Sequence, residues 1–247
     1  MNYTYQHFWK LRGTSVFWLT AHFGYRPGAL VALIAARMGL SPNLVSVSAF
    51  FVSLVALAPL MLSNWAQWVQ GLWLGGFLLL SFWCDCADGL LARGTGQTST
   101  FGAILDKTND MTVTVLSNSV IGIAALGHQS WWIPESWQFF ILPLTLFPRA
   151  GFSVLNWLKD MEMHQINRLR AYEPPQTLFG KAKRVAGNLT DDVTLRTGAG
   201  VSWALGAYWE FALAINTVFL VVLLGYLMTS KRDLDAFDRE NKERKES

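Results

Sequence analysis

Long apolar runs separated by short polar links dominate the chain. The first, SPNLVSVSAFFVSLVALAPLML, begins close to Pro42 and is long enough for a helix to cross a bilayer, which takes about 20 residues. Five further candidate spans follow at about 65–84, 102–126, 134–158, 193–207 and 210–229. Of these, the stretch VTLRTGAGVSWALGAY is short and Gly-rich, so a re-entrant or strongly tilted helix stays open for it. Ahead of the first span, RPGALVALIAARMG is too short to cross and predicts a helix lying in the interface, with Arg26 and Arg37 toward lipid headgroups. The pattern therefore predicts an all-α, polytopic membrane protein. An N-terminal interfacial amphipathic segment covers 1–40, a six-transmembrane-helix bundle covers 41–230, and a charged tail covers 231–247. The tail alternates charge signs and reads as a solvated helix or disordered segment.

Composition agrees: 52% of residues are hydrophobic and only 15% charged, a balance foreign to typical soluble domains. With six spans, Lys10, Arg12, Arg26, Arg37, Arg93, Lys107, Lys159 and the later basic residues fall on one side, whereas the links near Ser63, over 128–135 and near Tyr208 carry no Lys or Arg. The positive-inside bias then puts both termini and the acidic cluster on the cytoplasmic side. Lys10, Arg12, His22 and Arg26 break the first apolar stretch, so no cleavable signal peptide is expected. Cys84 and Cys86 form a CxC, too close for an ordinary disulfide, and read as packing residues.

The candidate chemistry lies between Asp85 and Asp110, in DCADGLLARGTGQTSTFGAILDKTND. Asp85 and Asp88 are three apart, Asp106 and Asp110 four apart, so each pair shares a helix face. An ionised Asp in mid-membrane costs roughly 2.5 to 3.5 kcal/mol, and acids crowded at helix ends repel one another unless a cation sits among them. A divalent ion resolves both problems. Gly89, Ala92 and Gly102 admit close approach of backbone or ligand, and Arg93 adds a planar cationic fork suited to phosphate, its alternative being a membrane-surface anchor.

This stretch resembles the signature of the CDP-alcohol phosphotransferase family, DxxDGxxAR, eight residues, then GxxxDxxxD. Asp85, Asp88, Gly89, Ala92, Arg93, Gly102, Asp106 and Asp110 all match, over about a tenth of the chain. Near the first span, Asn43 matches the family's Pro-Asn-x-x-Thr and Ser46 stands where Thr is usual, retaining the hydroxyl by the nucleotide pocket; taken alone, Pro and Asn there read as a helix cap. The resemblance implies transfer of a substituted phosphate from a CDP-alcohol to a hydroxyl acceptor with release of CMP. It implies Asp85, Asp88 and Asp106 as ligands of Mg²⁺ or Mn²⁺, one ion or two, and Asp110 as general base. The expected donor is CDP-diacylglycerol in phospholipid biosynthesis; the alternative is a CDP-linked head group such as choline or ethanolamine phosphate passed to a lipid alcohol. A homodimer in the lipid bilayer is implied, and no nucleic-acid partner. Arg149, well inside the fourth span, either pairs with Asp106 or Asp110 or serves an acceptor-phosphate subsite helped by Arg168, Arg170 or Arg196. From other classes, intramembrane acids also mark cation routes in transporters, and an inactive structural homologue is conceivable, but acids gathered near one face and a complete signature favour the enzyme.

Overall fold

The computed structural model of the chain describes residues 3–12, 18–143, 192–221 and 224. All regular structure among them is helical: α1 (Tyr5–Lys10), a π-helical turn (Thr20–Gly24), α2 (Tyr25–Arg37), α3 (Pro42–Leu62), α4 (Gln67–Thr95), α5 (Thr100–Ala124), α6 over 135–143, α7 (Asp192–Ala204) and α8 (Tyr208–Val221).

Two of these helices, α3 and α4, are both long and apolar enough to cross a membrane. Their outer faces carry large apolar side chains such as Phe51, Leu62, Trp68 and Leu72, all exposed as lipid-facing residues would be. α5 is long enough but carries Asp106, Lys107 and Asp110, while α7 has only 13 residues, about 20 Å of helix. The fourth expected span, placed from about 134, starts at 135, and its remainder beyond 143 lies outside the described residues.

Local chemistry sets the helix ends. Ser41 caps α3 by accepting from the Leu44 amide at 3.3 Å, and Pro42 occupies the first turn, where its missing N–H costs nothing. Asn43 is therefore inside the helix rather than its cap. Pro59 also lies inside α3, which frees the carbonyl four residues earlier; the Trp73 indole on α4 donates to that Val55 oxygen at 2.9 Å. α4 does not stop near 84 but runs for 29 residues, about 43 Å, until Gly96 adopts φ +71° and the Gln97 amide closes on the Ala92 carbonyl at 2.9 Å. The helix is longer than the roughly 30 Å hydrocarbon core. Its acidic turns thus belong to the same rigid rod as its apolar half.

That apolar half is gripped by α7. A Cβ built on Gly200 would lie 2.5 Å from the Gly75 Cα and 2.7 Å from the Gly71 carbonyl oxygen, so the two backbones touch. Small residues four apart on both helices, Gly71 with Gly75 and Gly200 with Ala204, permit this approach, which in lipid supplies packing that apolar bulk alone cannot. Gln70, almost fully buried beside the crossing, donates to the Pro59 and Ser63 carbonyls and accepts from the Trp203 indole at 3.1 Å. At the other end α1 docks on α4, with Phe8 completely buried against Gly94 and the His7 ring bonded to the Gly94 carbonyl at 3.1 Å.

Candidate active site

α3 packs against both α4 and α5, and the acidic turns of those two helices face one another. Asp85, Asp88 and Asp106 each offer a carboxylate oxygen, and these oxygens all lie within 4.8 Å of one another. Asp88 is nearly buried, while Asp85 and Asp106 are half-buried. The all-oxygen, triply anionic donor set suits a hard divalent cation such as Mg²⁺ or Mn²⁺, and three carboxylates so close would otherwise repel. Asp110 follows one turn beyond Asp106 on the same face of α5 and within Coulomb range of Asp85.

Other helices hold this cluster in place. From α3, the Ser46 hydroxyl donates to Asp88 Oδ2, and the Asn109 side-chain amide on α5 donates to the Ser46 carbonyl at 3.1 Å. Asn43, one turn earlier on α3, brings its Oδ1 to 3.1 Å from where a Cβ on Gly102 would stand. Gly102 thus admits the Asn43 carboxamide at the start of α5, where Ser99 caps the helix by accepting from the Gly102 amide at 2.9 Å. Arg93 lies with its guanidinium over Gly89, one nitrogen 3.2 Å from the place of a Cβ, and its Nε donates to the Leu11 carbonyl at 3.1 Å. Arg93 therefore ties the N-terminal segment to the acidic end of α4, and its charge remains within range of Asp106. Ala92 is half-buried on the same turn, and its carbonyl closes the helix end.

Arg196 reaches the cluster from α7. It is buried, donates from Nη1 to the Leu78 carbonyl at 3.2 Å, and sits with its guanidinium 5.0 Å from the centre of the Phe82 ring. Both Asp85 and Asp110 lie within its Coulomb range. A guanidinium inside a membrane bundle requires such partners. Arg149, Arg168 and Arg170 lie outside the described residues.

Three residues join the site without having been predicted. Asn109 occupies an unspecified position of the signature, yet it is buried and bonded to α3. Tyr25, at the start of α2, is half-buried near the cluster: burial pushes its phenol above the ordinary range, with Cys86, Asp85 and Asp106 adding to the shift and Arg93 opposing it. Asp192 opens α7 within range of Asp110. Only Asn109 carried a usable signal, an amide directly beside Asp110 in the acidic stretch.

Three carboxylates gathered from two helices, beside helices long and apolar enough to cross a membrane, define a class of helical proteins with an acidic site that could hold a metal ion. The family model of CDP-alcohol phosphatidyltransferases matches residues 39–190, a stretch that contains Asn43, Ser46 and all four aspartates, and the chain belongs to this family. It is 38% identical over 98 residues to an archaetidylinositol phosphate synthase of Pyrococcus horikoshii. That alignment covers 39% of this chain and 47% of the relative, so the chain spans about half the length of the curated relative it matches. Tyr25, Asp192 and Arg196 lie outside the family match.

Proposed function

We propose that this chain transfers a substituted phosphate from a CDP-alcohol to a hydroxyl acceptor and releases CMP, with CDP-diacylglycerol as the donor. The observation that carries this reading is the convergence of Asp85, Asp88 and Asp106 within 4.8 Å, followed one turn later by Asp110, in a chain of this family. The three aspartates would hold Mg²⁺ or Mn²⁺; such an ion supplies Lewis acidity, neutralising the pyrophosphate and polarising the phosphorus. Asp110 accepts the acceptor hydroxyl's proton as that oxygen attacks in line. The bond from phosphorus to the bridging oxygen breaks, and CMP leaves with that oxygen. Gly89 and Ala92 keep side-chain bulk off the backbone where the nucleotide would lie, with Arg93 above Gly89 to orient that turn or a phosphate; Asn43 packs against Gly102 to frame the start of α5, and Ser46 orients Asp88.

Similarity to a protein named as an archaetidylinositol phosphate synthase supports, for this chain, a phosphorylated polyol as acceptor. Arg196 supports that reading from within range of Asp85 and Asp110, and Arg149, Arg168 and Arg170 are the further cations we assign to the acceptor phosphate. We place this chemistry in a six-span domain over 41–230, behind an interfacial segment over 1–40 and ahead of a charged tail over 231–247. Both termini and the site face the cytoplasm, and the protein is a homodimer in the bilayer.

Purified protein in detergent, given CDP-diacylglycerol, Mg²⁺ or Mn²⁺ and a pool of polyols and polyol phosphates, should release CMP only when its acceptor is present. Asp110→Asn should abolish that release. Release only from CDP-choline or CDP-ethanolamine with a lipid alcohol would reassign the donor, and none from any CDP-alcohol would overturn the reading.

A further inference from the structure

Asn109 is an amide buried in a helix that otherwise reads TVTVLSNSVIGIA beyond the site, and it lies next to Asp110. Its amide nitrogen reaches across to α3 and donates to the Ser46 carbonyl at 3.1 Å. Within α3 that carbonyl already has an intrahelical donor four residues on, so the Asn109 bond is an additional one that α3 does not need for its own stability. The same Ser46 sends its hydroxyl to Asp88 Oδ2 on α4. A helical serine ordinarily turns this proton back to the carbonyl four residues earlier; here Pro42 offers that carbonyl at 3.3 Å, yet a carboxylate oxygen is the stronger acceptor. One residue of α3 therefore bridges the two helices that carry the acidic cluster, although α3 supplies none of the three clustered carboxylates.

Helical geometry shows what this bridge controls. Successive residues are about 100° apart, which puts Asn109 about 60° around α5 from Asp106 and about 100° from Asp110. Pinning Asn109 to α3 thus fixes the rotation of α5 about its own axis. Were α5 to turn by a few tens of degrees, Asp106 would swing away from Asp85 and Asp88.

We propose that Asn109 is a positioning residue for the divalent-cation site: through the Ser46 carbonyl it sets the rotation at which Asp106 meets Asp85 and Asp88, while the Ser46 hydroxyl holds Asp88 Oδ2. This inference rests on the reading of the three aspartates as a cation site. Outer partners of metal ligands typically contribute 10- to 100-fold in affinity, and Asn109, acting through a helix rather than directly on a ligand, belongs at the low end.

The test is Mn²⁺ titration followed by electron paramagnetic resonance on the purified full chain in detergent, with melting temperature recorded alongside. Asn109→Leu keeps the approximate shape and removes the donor; Asn109→Ala removes donor and bulk and decides the matter if the Leu variant does not fold; Asn109→Gln restores a donor. We expect Mn²⁺ affinity to fall about tenfold in the Leu or Ala variant, at nearly unchanged melting temperature, and to recover in part with Gln. Unchanged affinity in a folded Leu or Ala variant overturns the inference, as does a loss that appears only together with a collapse in melting temperature. Asp106→Asn separates the two levels. If it weakens Mn²⁺ binding while the Asn109 variants bind normally, only the role of Asn109 fails; if it leaves binding unchanged, the cation-site reading itself fails and this inference with it.

Discussion

The two halves of α4 are held by different balances of packing and polar contact. Between Gln67 and Leu78 the closest fastening is by surface: Gly71 and Gly75 lie against Gly200 and Ala204 with backbones in contact, and Leu74 and Leu78 are buried among apolar neighbours, with Gln70 and Trp73 adding hydrogen bonds at the side of the crossing. Between Ser81 and Thr95 it is fastened by directed polar contacts. Ser81 donates to the Ala49 carbonyl at 2.8 Å, Asp88 accepts from Ser46, and Arg93 reaches Leu11 at 3.1 Å. Packing of the first kind specifies distance between helices but tolerates small rotations. Hydrogen bonds of the second kind specify rotation, which is what a set of carboxylates aimed at one point requires. A single rod joins both, so the glycine crossing carries the positional accuracy of the acidic turns into the bilayer.

The comparison breaks most completely at the acidic end. Asp88→Asn removes one of three clustered carboxylates, and we predict a loss of roughly 10³-fold or more in CMP release, about 4 kcal/mol, with melting little changed. At the apolar end the signature is reversed. Gly200→Val would drive a side chain into the Gly75 backbone, which has nowhere to yield, and should destabilise the protein by about 3 kcal/mol. Melting and detergent monodispersity should both fall, with any surviving folded enzyme retaining its metal dependence; a stable variant would mean the helices do not cross as closely as described.

Smaller changes sharpen the contrast. Ser46→Ala deletes the proton given to Asp88 and should lower kcat/KM about tenfold, about 1.4 kcal/mol, while leaving the melting temperature within a few degrees of wild type. A threonine there should preserve activity because it keeps the hydroxyl. The mildest effect is expected from Trp73→Phe, which leaves the Val55 carbonyl freed by Pro59 without its indole donor; hydrogen bonds of this sort between membrane helices average about 0.6 kcal/mol, so a small fall in melting and no change in turnover should be measured.

Much of this arrangement was legible in the chain itself. Spacing of three and four placed each pair of aspartates on one face, and the signature brought Asp85, Asp88 and Asp106 together, as the structure does. Helix starts near 42, 102, 134 and 193 were readable from apolar runs and flanking breakers, to within two residues. The end of α4 was not, because the apolar run stops near Cys84 whereas the helix is stopped only by the left-handed Gly96, and polarity rather than backbone geometry dominates a hydropathy pattern. Nor could local reasoning find the Ser46 bond to Asp88, 42 residues away, or the Asn109 bond to Ser46 across 63 residues. Such contacts depend on how three helices are rotated against each other, and no periodicity within one helix encodes that. Arg93 illustrates the same limit: a guanidinium suited to phosphate also bonds a backbone carbonyl of the N-terminal segment.

The most direct measurement is CMP release as a function of divalent-cation concentration, for wild type and Asp106→Asn, in detergent with CDP-diacylglycerol and the acceptor pool. Wild type should release no CMP in excess chelator and recover on adding Mg²⁺ or Mn²⁺, whereas Asp106→Asn should not recover at any cation concentration. Undiminished release in chelator, or an Asp106→Asn enzyme with the wild-type cation profile, would contradict the cation-site reading.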